Sequence, residues 1–205
     1  MNRLLKLLCP SEYVQSVSGI DIQGLLGRGI CAVLADLDNT LVPWQGREIS
    51  PETAEWIAEA RRQGLKICIV SNTRSGGRLR SLAETFGVPF VRKGLKPRGA
   101  GFREALKLLG EAPSAAAVIG DQIFTDILGG NRLGAYTILV RPLHRREFFG
   151  TKMSRLFERV ILRLLERRGM FRRDAHARPP REQSPLTDRQ TKTEQCLGNE
   201  RRGDD

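Results

Sequence analysis

Short apolar segments alternate with amphipathic segments along the first two thirds of the chain. Five of the apolar segments are rich in β-branched residues, and each is short enough to be a strand buried on both faces. They cover residues 30–35, 65–70, 88–91, 116–119 and 135–140. The pattern predicts a central sheet of about five strands.

Helical patterns lie between these segments. Ser50 and Pro51 begin the first one, because serine is a favoured N-cap and proline suits the first helical position, and Gly64 ends it. Further helices are predicted over residues 78–86, 97–109 and 124–132, each followed by a glycine. Alternating strands and helices indicate right-handed crossovers. The predicted fold class is therefore α/β, a Rossmann-like three-layer sandwich with a central parallel sheet.

A longer helical pattern follows the predicted sheet. Its apolar positions are Met153, Leu156, Phe157, Val160, Ile161, Leu164 and Leu165, and arginines lie largely around the other side. We divide the chain into an α/β domain over residues 1–150, a basic amphipathic helix over 151–170 and a disordered polar tail over 171–205. Two interpretations of the helix stay open: its apolar face packs on the sheet, or it contacts a membrane.

The charge balance narrows the range of partners. Lys and Arg number 34 against 23 Asp and Glu, a net charge of +11, which favours phosphate groups, nucleic acid or an acidic membrane surface. No apolar segment approaches the roughly 18–20 residues that cross a bilayer. The leucine-rich segment at residues 4–8 is too short for a signal peptide. We expect a cytoplasmic protein, with peripheral membrane association left open.

Polar residues follow the first two predicted strands directly. Asp36 and Asp38 come after the first strand, and Ser71 and Asn72 come after the second. In open α/β sheets, ligands bind at the carboxyl ends of the strands, where the strand order reverses. The alternatives are an Asp-rich loop that caps a helix and ordinary turn chemistry at Ser71 and Asn72.

The next two strands end in the same way. Lys93 and Lys96 follow the third strand, and Lys96 lies near a predicted helix start, where an anion is favoured. A solvated lysine pair is the alternative. Asp121 follows the fourth strand and Asp126 begins the next helix, where it could instead be a cap. Acids, a hydroxyl and a lysine at successive strand ends together indicate one catalytic edge.

These residues resemble the four motifs of the haloacid-dehalogenase superfamily. The motifs match Asp36-Leu37-Asp38-Asn39-Thr40, Ser71, Lys96-Pro97, and Gly120-Asp121 through Thr125-Asp126. A closer resemblance, over residues 9–150, is to the YqeG branch of subclass IIIA phosphatases, which is related to mitochondrial phosphatidylglycerophosphate phosphatases. That resemblance also includes the segments at residues 9–14, 87–90 and 127–132.

The resemblance implies a Mg²⁺-dependent phosphatase domain. Asp36 would be the nucleophile that forms an aspartyl phosphate, and Asp38 would be the general acid and base. The implied metal ligands are Asp36, Asp121 and the backbone carbonyl of Asp38. Asp126 would either bind the metal directly or support one of these ligands. The implied phosphate-binding residues are Thr40, Ser71, Asn72 and Lys96, with Lys93 as the alternative lysine.

The spacing of the motifs excludes a large cap domain. Only residues 41–70 lie between Thr40 and Ser71, and only residues 72–95 lie between Ser71 and Lys96. An open site suits a phosphate carried on something large, and phosphatidylglycerophosphate in phospholipid synthesis is the leading substrate. The alternatives are a soluble sugar, nucleotide or polynucleotide phosphate, and a binding role toward RNA or a ribosome-assembly partner.

Overall fold

A computed structural model of the chain describes residues 3–73, 75–92, 99–143 and 149–170. The strands of these residues are β1 Glu12–Val14, β2 Ala32–Ala35, β3 Lys66–Ser71, β4 Phe90–Arg92, β5 Ala116–Gly120 and β6 Tyr136–Val140. The α-helices are α1 Arg3–Leu8, α2 Ile22–Gly27, α3 Pro51–Arg62, α4 Gly76–Phe86, α5 Ala100–Leu109, α6 Leu128–Leu133 and α7 Phe149–Arg167. The predicted tail over residues 171–205 lies outside this part of the chain.

The six strands form one sheet in the order β1-β6-β5-β2-β3-β4, and every neighbouring pair is parallel. From β2 the chain moves outward to β3 and β4, then returns to the other side of β2 as β5. The strand order therefore reverses between β2 and β5. Ligands of open α/β folds bind at this reversal, beyond the carboxyl ends of the strands.

The α/β fold class is confirmed, and all five predicted strands are present. The sixth strand, β1, was not predicted. It has only three residues, Glu12, Tyr13 and Val14, and it pairs at the edge of the sheet with β6. Its acidic first residue and its short length give no apolar segment that sequence patterns would detect. The described residues form six strands, which agrees with the expected count of about five and adds β1.

The central strand β2 packs on both faces of the sheet. Its four residues are all buried. Val33 and Ala35 join a core cluster with residues of α2, α3 and α4, whereas Ala32 and Leu34 join a second cluster with residues of α5. Alternate residues of a strand point to opposite faces, so this segment needs apolar side chains at every position.

Helix ends confirm the local signals in the sequence. The Ser50 side chain accepts a hydrogen bond from the Thr53 N–H at 3.2 Å, and Pro51 is the first helical residue of α3. The residues that follow α4, α5 and α6, Gly87, Gly110 and Gly134, have left-handed backbone. The helix predicted over 124–132 differs, because it begins as a π-helical turn, Ile123–Ile127, before α6.

The last helix, α7, has one packed face and one exposed apolar face. Leu162, Leu165 and Glu158 are buried against the domain, whereas Phe157 is 57% exposed and Val160 is 55% exposed. Packing on the domain is therefore observed for one face, and membrane contact of the other face stays a prediction. Among the described residues, no helix is both long and apolar enough to cross a bilayer.

Candidate active site

Three carboxylates meet at the edge where the strand order reverses. Asp36 follows β2, Asp121 follows β5, and Asp126 lies in the π-helical turn after β5. One carboxylate oxygen of each residue lies within 4.8 Å of the others. Asp121 and Asp126 are each 1% exposed. Acids that are 5 and 85 residues apart in the sequence thus share one small volume.

Strand pairing places the first two acids side by side. Ala35 of β2 is in register with Ile119 of β5. The pairing continues one residue further, since the Asp36 N–H donates to the Ile119 carbonyl oxygen at 2.8 Å. Asp36 and Asp121 therefore leave adjacent strands at nearly the same level of the sheet.

The third acid is placed by a tight turn that requires glycine. The Gln122 N–H donates to Asp126 Oδ2 at 3.2 Å, which closes the turn. A Cβ atom added to Gly120 would lie 2.2 Å from Asp126 Cγ. No side chain fits at position 120 without displacing Asp126, so the glycine is needed for the close approach of the acid to β5.

The donor set fits a hard divalent cation. Like charges at this distance resist joint ionisation unless a cation or a proton lies between them. All three ligand groups supply oxygen, which Mg²⁺ and Ca²⁺ prefer. The chemistry of the cluster thus agrees with a metal site at this edge.

The Asp38 side chain is held by contacts of its own. Its Oδ1 accepts hydrogen bonds from Arg78 Nη2 at 2.8 Å and from the Gln45 N–H at 3.0 Å. It is not part of the carboxylate cluster. The role predicted for Asp38 as a metal ligand concerns its backbone carbonyl and stays a prediction.

A tight turn with left-handed backbone at Asn39 follows Asp38, and the next residue, Thr40, is buried. Asn39 has a φ of 64°, its N–H donates to the Val42 carbonyl oxygen at 2.7 Å, and its Oδ1 accepts from the Trp44 N–H. A left-handed residue other than glycine is uncommon, and asparagine tolerates it best. Thr40 is 1% exposed, and its Oγ1 has no hydrogen-bond partner in the described part of the chain. A buried hydroxyl of this kind is suited to a ligand oxygen.

The other predicted phosphate-binding residues differ in how well they are placed. Ser71 ends β3, is 2% exposed, and its Oγ accepts from the Thr73 N–H at 3.1 Å. Asn72 follows it and is exposed. Both lie at the same edge of the sheet as the acids. Lys93 and Lys96 lie outside the described residues.

Two residues that contact this region were missed in the sequence. Glu158 of α7 is 4% exposed, and its Oε1 accepts from the Ile123 N–H at 3.0 Å, which ties α7 to the turn that carries Asp126. An acid on the apolar face of a basic helix was the available signal. Arg78, the partner of Asp38, is a cation in the first turn of a helix, where acids are preferred.

Comparison with known proteins identifies the family. Residues 21–134 match the haloacid dehalogenase-like hydrolase family. The chain belongs to this family. It is 39% identical over 166 residues to "Probable phosphatase YqeG" of Bacillus subtilis, which covers 81% of this chain and 96% of that protein. This hydrolase is therefore a phosphatase.

More distant relatives are similar over less of their length. "Phosphatidylglycerophosphate phosphatase 1, chloroplastic/mitochondrial" of Arabidopsis thaliana is 28% identical over 174 residues, or 80% of this chain and 50% of that protein. This haloacid dehalogenase-like hydrolase thus spans about half the length of the plant relative. Among solved structures, the cobalt-bound deoxy-D-mannose-octulosonate 8-phosphate phosphatase of Haemophilus influenzae is 16% identical, covers 72% of this chain and 95% of its own, and has a TM-score of 0.46.

Proposed function

We propose that this phosphatase hydrolyses phosphate monoesters with Mg²⁺ and passes the phosphoryl group through Asp36. The observation that carries the proposal is the cluster of Asp36, Asp121 and Asp126, whose oxygens lie within 4.8 Å of one another. Asp36 is the cluster member that directly follows β2, two residues before Asp38. A nucleophile and an acid–base group thus come from one short segment.

The proposed chemistry has two displacements. In the first, a carboxylate oxygen of Asp36 attacks phosphorus, the bond from phosphorus to the ester oxygen breaks, and Asp38 gives its proton to that oxygen. In the second, water attacks the aspartyl phosphate, Asp38 takes a proton from the water, and inorganic phosphate leaves with Asp36 restored. Each displacement needs Asp38 in the protonation state that the other leaves behind.

The remaining residues would bind the group that is transferred. Asp36, Asp121, Asp126 and the backbone carbonyl of Asp38 would hold Mg²⁺, which when bound shields the acids from an anionic substrate and stabilises charge on the phosphoryl oxygens. Thr40, Ser71 and Asn72 would donate to those oxygens, together with Lys96. The Thr40 hydroxyl, which has no hydrogen-bond partner among the residues that the structure describes, supports this assignment.

We infer that the substrate is phosphatidylglycerophosphate. The segment from Thr40 to Ser71, all of which is described, contains a loop, α3 and β3 and no inserted cap domain. A site without a large cap domain in this segment would suit a phosphate at the surface of a bilayer. Support also comes from the Arabidopsis thaliana relative, which is named for this lipid, and from the net charge of +11.

The exposed face of α7 would hold the enzyme at the membrane. Phe157, Val160 and Leu164 are 57%, 55% and 37% exposed, and their spacing of three and four residues places them on one stripe. Arg159 and Arg163 are exposed on the same helix. Apolar side chains flanked by cations are typical of helices that lie on anionic bilayers.

The test is phosphate release by the purified full chain with Mg²⁺ from a panel of phosphate esters. The panel contains phosphatidylglycerophosphate in mixed micelles, a sugar phosphate, a nucleoside monophosphate and an oligonucleotide with a terminal phosphate. We expect the lipid to have the highest kcat/KM, and Asp36→Asn to lose activity on every member. Faster turnover of a soluble ester would refute the lipid assignment, and activity in Asp36→Asn would refute the role of Asp36.

A further inference from the structure

Arg78 is a buried cation in the first turn of α4, and it contacts the loop that carries Asp38. Its side chain is 6% exposed. Its Nε–H donates to the Gly46 carbonyl oxygen at 2.8 Å, and its Nη2–H donates to Asp38 Oδ1 at 2.8 Å. The Gln45 N–H donates to the same carboxylate oxygen. Two donors from different parts of the chain therefore fix one oxygen of Asp38.

The position of Arg78 is unfavourable for the helix itself. The first turn of α4, all of which is described, contains no acidic residue, and the Ser75 side chain makes no capping hydrogen bond. The N-terminus of a helix carries partial positive charge, which disfavours a cation. A guanidinium also loses solvation when it is buried, so it needs compensating contacts. Those contacts are Asp38 and the loop beside it.

We propose that Arg78 is a positioning residue that holds the Asp38 carboxylate for proton exchange at the scissile ester oxygen. The inference rests on the proposed acid–base role of Asp38. With Oδ1 held by Arg78 and Gln45, the orientation of the carboxylate is set and Oδ2 is the oxygen that exchanges the proton. Arg78 is thus assigned to orienting Asp38 and not to proton transfer.

The contact also joins two parts of the site. Asp38 and Gly46 belong to the loop after β2, whereas Arg78 follows β3, whose last residue is Ser71. The ion pair therefore fixes the acid–base residue relative to the strand that carries a proposed phosphate ligand. Small errors of alignment between reacting groups reduce rates strongly.

The experiment compares leaving groups. An alkyl phosphate needs a proton on its departing oxygen, whereas 2,4-dinitrophenyl phosphate does not, because its phenolate is a stable anion. We expect Arg78→Met to lower kcat/KM for the alkyl ester by about 100-fold and for the dinitrophenyl ester by less than about tenfold. Arg78→Lys keeps a cation near Asp38 and should recover part of the lost kcat/KM for the alkyl ester. It replaces Arg78→Met as the test variant if the Met variant does not fold.

Two controls separate positioning from a merely structural role. Arg80→Met removes an exposed arginine two residues along the same helix and should leave both substrates unaffected. In an Asp38→Asn background, Arg78→Met should have little further effect, because the residue it orients is gone. Equal losses on both esters, or a full additional loss in the double variant, would overturn the inference.

The same measurements separate an error in the proposed role of Asp38 from an error in the role of Arg78. If Asp38→Asn itself shows no dependence on the leaving group, the acid–base role of Asp38 is wrong and the role of Arg78 falls with it. If Asp38→Asn shows that dependence and Arg78→Met does not, only the inference about Arg78 is wrong. A rise in KM with unchanged kcat in Arg78→Met would instead assign Arg78 to substrate binding and would also refute positioning.

Discussion

Gly120 and Asp126 lie so close together that a Cβ atom on residue 120 would be 2.2 Å from Asp126 Cγ. The glycine ends β5, and the acid lies in the π-helical turn that follows. The compact turn returns the chain to the strand it has just left. This contact explains how Asp121 and Asp126, five residues apart, share one site.

Gly120→Ala should therefore damage the acid cluster more than the fold. The new methyl group must displace Asp126 or the strand end, and overpacking of this kind costs about 1–3 kcal/mol of unfolding free energy. We expect activity to fall at least about tenfold, since small misplacements of reacting groups are costly. The checks are chemical denaturation and phosphate release at saturating Mg²⁺.

Gly27→Ala is the matched control for this substitution. A Cβ atom at Gly27 would meet nothing within 4 Å, and this glycine has no positive φ. It should keep both stability and activity. Wild-type activity in Gly120→Ala would show that the Asp126 position does not matter for turnover.

The hydrogen bond between Glu158 of α7 and the Ile123 N–H gives a second prediction. Glu158→Ala removes the acceptor of the buried Ile123 N–H, and an unsatisfied buried donor costs about 1–3 kcal/mol. We expect a lower unfolding free energy and weaker metal binding, because the turn that carries Asp126 loosens. Glu158→Gln keeps an acceptor oxygen and should lose less. Glu55→Ala, at an exposed position, is the control, and equal effects of the two alanine variants would contradict the role of Glu158.

Removal of divalent cations gives a third prediction. Without a cation, the three acids repel each other and the anionic substrate, so EDTA should abolish phosphate release and Mg²⁺ should restore it. Ca²⁺ takes more ligands at longer distances than Mg²⁺, and we expect it to bind without supporting comparable turnover. Full activity after dialysis against EDTA, with metal content checked by mass spectrometry, would exclude the metal requirement.

Sedimentation with vesicles tests the exposed face of α7. Phe157→Ser with Val160→Ser removes two of its largest exposed apolar side chains. We expect the double variant to bind vesicles of anionic phosphatidylglycerol several-fold more weakly, and added salt to weaken binding of both proteins. Leu108→Ser on α5, where Leu108 is 59% exposed, is the control. Unchanged binding of the double variant would exclude this face as the membrane contact.

The fold class was predictable because the apolar segments are strong local signals. In β2 every residue is buried, so its sequence shows an unbroken apolar segment between polar ones. β1 was missed because its stability comes from pairing with β6 across more than 120 residues of sequence. Local patterns do not contain such long-range pairing.

The grouping of the three acids was also predictable, since Asp36 and Asp121 directly follow buried strands and Asp126 lies in the turn after β5. Their convergence depends on the strand order, which the residues alone left open. In the structure β5 lies next to β2, and this adjacency brings the acids together. Arg78 and Glu158 were missed because their hydrogen-bond partners, Asp38 and Ile123, are 40 and 35 residues away in the sequence. Both are charged residues at positions that disfavour their charge: Arg78 lies in the first turn of a helix, and Glu158 lies on the apolar face of α7. Those unfavourable positions were the signal in the sequence.

The most direct test of the central claim is to find where the phosphoryl group is held during turnover. The enzyme is mixed with substrate and Mg²⁺, quenched in acid, reduced with borohydride and digested, so that an aspartyl phosphate is read by peptide mass spectrometry as homoserine. We expect homoserine at position 36, present with Mg²⁺ and absent after EDTA treatment. Homoserine at position 38 or 121, or none at position 36 while phosphate is released, would contradict it.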